Sequence, residues 1–513
     1  MQKSYSKNFL KIYFFQLISV LLGFVSMFVV VPYLSSNQTI YGIYSICISI
    51  TVFLAYADLG FLGAGQKYAA ECYAKGDLEK EIEYVGFSHF ILLIMVLLIS
   101  GIFLYLSFNP DKLISELSDP EQRNIASKLL LILAIFTPVI VVQRMLQMLF
   151  GIRLKEYNLQ KINIVGSILK IMSVFYFFYN GKYNIIGYYL FFQSVSLFVA
   201  IAGVWMAKRC FNYNFALLFR RFRFSKEIFH KTKSLAFSVL FITLTWVLYY
   251  ELDSIAIGKM LGANMVAVYA IGLTILGFVR SLLGVFFAPF AARFNHFIGL
   301  EQEENLKNFY KHVITITFPL VVFSITAITI MAKGIVISWV GNGYEQSIEI
   351  VRWLMLCNIL GSISYPAGIL LVAKKRVKQM YFVNAIMPVI FWSGIIVTVS
   401  SWGVTSFAIF KFAAFTISGM VYLYLSLRFL DMTLWRLVKE IILPYLPGVI
   451  ILAIALLLMA DTFTGEKNKI NLLINGMVII GGISMALLIS FFISSAMKNY
   501  VINLLHKIKQ NEL

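Results

Sequence analysis

Apolar runs of roughly 20 residues recur from one end of this chain to the other, and that repetition leaves few folds open. A helix needs about 20 mostly apolar residues to cross the ~30 Å hydrocarbon core of a bilayer. Applied along the chain, that criterion marks about fourteen segments. Six lie near 12–34, 42–63, 84–107, 128–151, 160–179 and 184–206. Six more lie near 235–258, 265–291, 312–333, 347–373, 380–400 and 404–427, and two follow at 441–460 and 471–495. Composition agrees: 60% of the 513 residues are hydrophobic and 13% charged, where soluble domains carry about a quarter charged. The chain therefore reads as an all-α integral membrane protein with about 14 transmembrane helices. Its longest external loop, NPDKLISELSDPEQRN at 109–124, could not house a folded domain. The opening MQKSYSKNFLK leads into an apolar stretch longer than a signal-peptide core, without a small-residue cleavage site, and so reads as a retained first helix.

The formal net charge of +19 would suggest nucleic-acid binding in a soluble protein. In a membrane protein it is first a matter of which loops carry it. Of the 43 Lys and Arg, roughly 30 fall on one side of the bilayer and roughly 8 on the other. The positive-inside rule assigns the richer side to the cytoplasm, and an even span number then places both termini there. Two clusters stand out, KRCFNYNFALLFRRFRFSKEIFHKTK at 208–233 and KKRVK at 374–378. The first interleaves aromatic with basic residues, which beside a membrane reads as an interfacial amphipathic helix on anionic lipid and not as a nucleic-acid surface. Cys47, Cys72, Cys210 and Cys357 are scattered without CxxC spacing and read as small packing residues. No metal-ligand spacing surrounds His89 or any other histidine. GFLGAG at 60–65 lacks a following Lys-Thr and is no nucleotide loop.

A repeat lies within the chain. LSSNQTIYGIYSICISI (34–50) and MLGANMVAVYAIGLTIL (260–276) share a turn followed by a helical start, and Tyr44 matches Tyr269. Both segments sit at the same side of the membrane, so the repeat is parallel, the arrangement transporters use to place a path between two lobes. Together with AYADLGFLGAGQKYAAE (55–71) and DSIAIGKMLGANMVAVYA (253–270), these stretches resemble the Wzx-type polysaccharide or O-antigen flippases. Those flippases belong to the multidrug/oligosaccharidyl-lipid/polysaccharide (MOP) exporter superfamily. The resemblance implies fourteen helices, two pseudo-symmetric six-helix lobes in a V, and two added C-terminal helices. The lobes would occupy 1–207 and 234–428, with 208–233 a basic cytoplasmic linker and 429–513 the two added helices and a cytoplasmic tail. It also implies that the chain moves an undecaprenyl-diphosphate-linked oligosaccharide across the bacterial cytoplasmic (inner) membrane. Further partners would be membrane lipids, a polysaccharide polymerase and chain-length proteins.

Ionisable groups inside a bilayer are costly, on the order of 2.5–3.5 kcal/mol on insertion scales, and are candidates for function. The cationic set is Arg144, Lys170, Arg280, Arg352 and Lys411. Lys170 and Arg280 lie near span centres, whereas the other three are close enough to span ends for snorkelling to compete. Such cations suit the phosphates of an anionic lipid-linked cargo. Gln143, Gln147, Gln193 and Asn163 offer neutral partners for sugar hydroxyls. The acidic set, Asp58, Glu251 and Asp253, is expected to couple transport to H⁺ or Na⁺, with no other cofactor. Asp58 equally suits a hydrogen-bonding role at its span end. Glu251 and Asp253 are two residues apart and point about 200° apart on a straight helix, so both face one cavity only if that helix is broken. Glu251 pairing with Arg280, and Asp253 coupling an ion, stand beside a purely structural pairing. Two other readings remain: a cation-coupled multidrug exporter of the same superfamily, and a membrane-embedded polysaccharide polymerase, for whose catalysis the short external loops offer little room.

Overall fold

The computed structural model describes residues 2–115, 117, 119–374, 377–460 and 466–493. The C-terminal tail, on which half of the orientation reading falls, and Lys375 and Arg376 of the KKRVK cluster lie outside the described residues. All regular structure among the described residues is helical, and the chain divides into two compact units, Met1–Ala267 and Val268–Leu513.

The first unit begins with α1 (Gln2–Leu34), α2 (Gln38–Ser49), α3 (Val52–Ala55), α4 (Phe61–Ala74), α5 (Leu78–Phe108) and α6 (Pro120–Phe136). It continues with α7 (Val139–Ile152), α8 (Glu156–Phe177), α9 (Ile185–Phe211), α10 (Phe215–Arg221), α11 (Lys226–Tyr250) and α12 (Asp253–Met260). The next helix, α13 (Ala263–Gly299), starts at the end of the first unit and runs on into the second. There follow α14 (Glu303–Ile330), α15 (Ala332–Val340), α16 (Gln346–Leu356), α17 (Gly361–Ala373), α18 (Val377–Trp402) and α19 (Thr405–Leu430). The last are α20 (Leu434–Leu437), α21 (Leu446–Met459) and α22 (Lys469–Ile493).

Among the described residues nine helices are long and apolar enough to cross a bilayer, and up to eleven if each of two bent pairs is one span. The bent pairs are α6 with α7, at 45°, and α16 with α17, at 47°. The other three predicted segments also fall on helices: 42–63 on α2, α3 and the start of α4; 160–179 on α8; 235–258 on α11 and α12. These miss the length-and-apolarity criterion because breaks or polar residues interrupt them.

Small residues set the close approaches, as expected where no hydrophobic effect drives helices together. A Cβ on Gly42 would run into the Ala263 carbonyl, and Thr39 Oγ1 donates to Asn264 Oδ1 at 2.6 Å. The two matched turns of the repeat thus meet each other. Tyr44 packs edge-on against Tyr189 of α9, centroids 5.8 Å apart, and Tyr269 against Phe407 of α19 at 6.2 Å. Each matched tyrosine therefore buries itself on the same relative element, the last helix of its predicted six. In the second unit α21 and α22 pack on one another and on α14. Asn475 of α22, fully buried, donates to the Gly334 carbonyl at 3.0 Å and fixes α22 against α15.

The basic 208–233 stretch forms α10 between two turns. Leu218 is buried, Arg221 pairs with Glu83 at 2.9 Å, and the side-chain-free surface of Gly86 admits the Arg221 carbonyl. Phe219 and Phe224 are exposed beside Arg220 and Arg223, the mixture suited to an interface. On the same side, Asp77 caps α5 by accepting from the Lys80 N–H at 3.1 Å, which holds its carboxyl below the usual aspartate value.

Gly60 has φ +80°, and a Cβ there would strike the Ala236 carbonyl of α11. Gly63, one turn on, has open space around it. Gly60→Ala should therefore cost about 1–2 kcal/mol from the left-handed backbone alone, plus the displacement of α11. Gly63→Ala should be near neutral. Thermal unfolding of the two purified variants in the same detergent checks this: a clear drop in apparent Tm is expected only for Gly60→Ala.

Candidate functional site

In the first unit, α7, α8 and α9 enclose a cavity of about 200 Å³. Gln143 comes from α7, Asn163, Gly166, Ser167 and Lys170 from α8, and Ser196 and Val199 from α9. The packing that forms it is tight, since a Cβ on Gly166 would come within 2.6 Å of Val199 Cγ2. Lys170 Nζ donates to Ser196 Oγ at 2.7 Å and stands 3.9 Å from the centroid of the Phe192 ring. Gln143 Nε2 donates to the Ser196 carbonyl at 3.3 Å. A mid-span ammonium is thus stabilised by a hydroxyl and a ring face, the latter contributing about 2 kcal/mol or more where desolvated. Three of the residues singled out in the sequence, Lys170, Gln143 and Asn163, share this wall. Gln193 instead bonds the Tyr189 hydroxyl at 2.9 Å.

A second cluster of the first unit forms at breaks in its helices. Asp58 follows α3, and its Oδ2 accepts from the Leu62 N–H at 3.0 Å, capping α4. Arg144 of α7 lies within electrostatic reach of Asp58 and Tyr56, and its Nη1 donates to Gln147 Oε1 at 3.3 Å. Glu251 lies within electrostatic reach of Tyr56. The helix carrying Glu251 and Asp253 is broken between them: α11 ends at Tyr250 and α12 begins at Asp253. A straight helix would have thrown the two carboxylates to opposite sides, and the break removes that restriction. Asp253 is 1% exposed and accepts from the Ser254 N–H at 2.8 Å, at the start of α12.

The second unit carries the other cations. Arg280 of α13 lies with its guanidinium carbon 5.0 Å from the Phe415 ring centroid. Lys411 of α19 was expected near enough to a span end to snorkel, yet it is 1% exposed. It lies 5.9 Å from the Tyr269 ring and 5.7 Å from the Phe391 ring. The packing of α13, α18 and α19 holds it inside. Arg280 and Lys411 are both within electrostatic reach of the buried Cys357, which lies at the break between α16 and α17. Arg352, on α16, is exposed, as snorkelling requires.

Residues 5–295, more than half of the chain, match the family model described as polysaccharide biosynthesis protein. The chain belongs to that family. Among solved structures its fold is similar to "Lipid II flippase MurJ, inward closed conformation", with TM-score 0.71, 14% identity, and 94% of this chain and 98% of that one covered. It is also similar to an inward-facing multidrug resistance MATE family transporter of the MOP superfamily, with TM-score 0.61, 16% identity, and coverage of 79% and 94%. An outward-facing MATE transporter follows with TM-score 0.52, 15% identity, and coverage of 82% and 96%. No curated protein matches the chain in sequence. At such identities the likeness is one of fold. The chain is a multi-pass, helical integral membrane protein with a fold similar to those of MurJ and the MATE transporters.

One charged pair of this polysaccharide biosynthesis protein escaped the reading of its sequence. Glu81 on the first turn of α5 and Arg153 at the end of α7 form a two-pronged ion pair, at 2.8 and 3.0 Å, with side chains 0% and 7% exposed. The guanidinium is ringed by Tyr73, Phe211 and Tyr213, each centroid within 5.3 Å. Ends of α4, α5, α7 and α9 are thereby tied at one point. An acidic residue in a helix's first turn is ordinary in sequence, and nothing local marks a partner 72 positions away. Glu81→Gln or Arg153→Gln alone should destabilise by about 3–5 kcal/mol, because each leaves a buried charge without its counterpart. The double substitution should recover much of that loss. Monodisperse yield and apparent Tm of the three variants check the coupling.

Proposed function

We propose that this chain is a flippase that moves undecaprenyl-diphosphate-linked oligosaccharide repeat units across the bacterial cytoplasmic membrane by alternating access. Its product would serve O-antigen or another surface polysaccharide. Both termini lie in the cytoplasm, the six-helix lobes are those drawn at 1–207 and 234–428, and a polymerase and chain-length proteins act on what is delivered. The observation that carries this reading is the presence of cations on apolar helices of each unit: Lys170, half-buried in a polar cavity, and the half-buried Arg280 and the buried Lys411 near aromatic faces. Membership of a polysaccharide biosynthesis family and a fold similar to that of a lipid II flippase support it.

Diphosphate and acidic sugars lose hydration on entering a hydrocarbon slab, and fixed cations offset that loss. Lys170 retains donor capacity beyond its bond to Ser196, and Arg280 presents a planar fork that matches phosphate oxygens. Arg144, Arg352 and Lys411 complete the cationic path. Charge reversal is the direct test. Arg280→Glu and Lys170→Glu should each lower surface polysaccharide by about a hundredfold, the factor corresponding to ~2.5–3.5 kcal/mol of uncompensated charge. Membrane insertion, followed by a fluorescent fusion, should be kept. Normal export from well-inserted Arg280→Glu would remove the cationic path.

The acids offer the driving force. Only a group whose ion affinity differs between inward- and outward-open states can couple a gradient. Asp253 sits at a helix break, where a small movement of α12 changes its surroundings, while Glu251 lies near Tyr56 and Asp58 near Arg144. In vesicles, Asp253→Asn should uncouple export from the H⁺ or Na⁺ gradient, whereas Glu251→Gln should mainly lower the amount of folded protein. Unchanged gradient dependence in Asp253→Asn leaves that residue a packing role. Transport of cationic drugs in place of the lipid-linked sugar would favour the multidrug reading, which the same carboxylates could serve.

A further inference from the structure

The KKRVK cluster opens with Lys374, and the function proposed above makes no use of it. In the second unit a cavity of about 370 Å³ lies where the N-terminus of α14 meets the C-terminal ends of α17 and α19. This is the side that the positive-inside reading assigns to the cytoplasm. Its charged wall holds Lys307, Lys374 and Arg428 against Glu303 and Asp431, one positive charge in excess. Lys374 pairs with Glu303 at 2.5 Å and lies over the Phe429 ring at 4.3 Å, and Lys307 pairs with Asp431. Deeper in, the Tyr310 and Ser426 hydroxyls bond each other at 2.7 Å, both residues buried. Leu370 and Leu371 of α17 and Leu425 of α19 form the opposite, apolar side.

We propose that this cavity binds the headgroup of an anionic membrane phospholipid, with the phosphodiester at Arg428, Lys307 and Lys374. Three features select that ligand. The volume falls in the range of small-molecule sites, about 300–1,000 Å³. The excess charge favours a net anion over a zwitterion, and basic pockets between helices on the cytoplasmic side are suited to such headgroups. One wall is cationic and the other is leucine, so a molecule with a charged end and an acyl root fits both, whereas free phosphate fits only one. The carboxylates hold the lysine ammoniums in place across three helix ends, so a bound headgroup would also brace α14 against α17 and α19.

The test uses the full-length protein in nanodiscs of phosphatidylcholine, with or without phosphatidylglycerol. Lipid retained by the protein is read by native mass spectrometry, and apparent Tm by fluorescence. Arg428→Gln, which disturbs neither ion pair, should lower phosphatidylglycerol retention about fivefold, the effect of one basic residue near a membrane surface, and should abolish the phosphatidylglycerol-dependent rise in Tm. The double variant Glu303→Gln/Lys374→Gln, which removes a whole pair, should lower retention while keeping the fold. Raising salt should weaken binding in the wild type. Equal retention by wild type and Arg428→Gln overturns the site. A Tm rise produced by inorganic phosphate in phosphatidylcholine discs, with no preference for phosphatidylglycerol, overturns the lipid assignment.

Discussion

Hydrocarbon offers the backbone no hydrogen-bond partner, so every peptide group in a span must be satisfied by the protein itself. Unbroken helices meet that condition at no further cost, and most of this chain takes that course. Each interruption must be compensated, and the compensating groups are the polar residues that give the molecule its chemistry. The Asp58 carboxylate accepts from the Leu62 N–H where α4 restarts. The Thr137 hydroxyl bonds the Leu133 carbonyl at 2.7 Å where α6 gives way to α7. Asp253 accepts from Ser254 where α12 begins. Discontinuous helices in transporters commonly mark the path of the cargo or its coupling ion; here two breaks carry the acids Asp58, Glu251 and Asp253, and two others, at 137–138 and 357–360, lie within two turns of Arg144 and Arg352.

The cations show a second consequence of the same solvent. None of Lys170, Arg280 or Lys411 is left to face lipid alone: each rests on an aromatic ring, and Lys170 has a hydroxyl as well. An aromatic face stabilises positive charge without neutralising it. A cation kept positive in this way can still attract an anion. Arg153 serves the packing of the first unit. It is gripped by Glu81 on two prongs and enclosed by three rings, so its charge is consumed in holding helix ends together. Residue type alone does not show that Arg153 serves the fold; its two-pronged bond to Glu81 does.

Much of this was legible in the chain itself. Span length and the repeat around Tyr44 and Tyr269 are local or periodic signals, and helices formed on all fourteen marked segments. Lys170, Gln143 and Asn163 share one cavity, whereas Gln147 and Gln193 bond Arg144 and Tyr189 instead. What escaped were properties of contact. Arg352 and Lys411 lie at similar distances from their span ends, yet one is exposed and the other 1% exposed, because burial depends on which neighbours each helix face meets. The partner of Glu81, 72 positions away, was equally beyond reach.

The sequence by itself determined the solvent, the helical class, the approximate spans and the inventory of charges, since these follow from runs of about 20 residues whose hydropathy is set by composition. Only the tertiary structure decided where a helix breaks and which charge meets which. The break at 251–252 and the packing of α7, α8 and α9 around Lys170 are cases of this. Either outcome satisfies the hydropathy of each segment taken singly. The choice lies in contacts between helices, through glycines such as Gly60 and Gly166, whose energies no single segment contains.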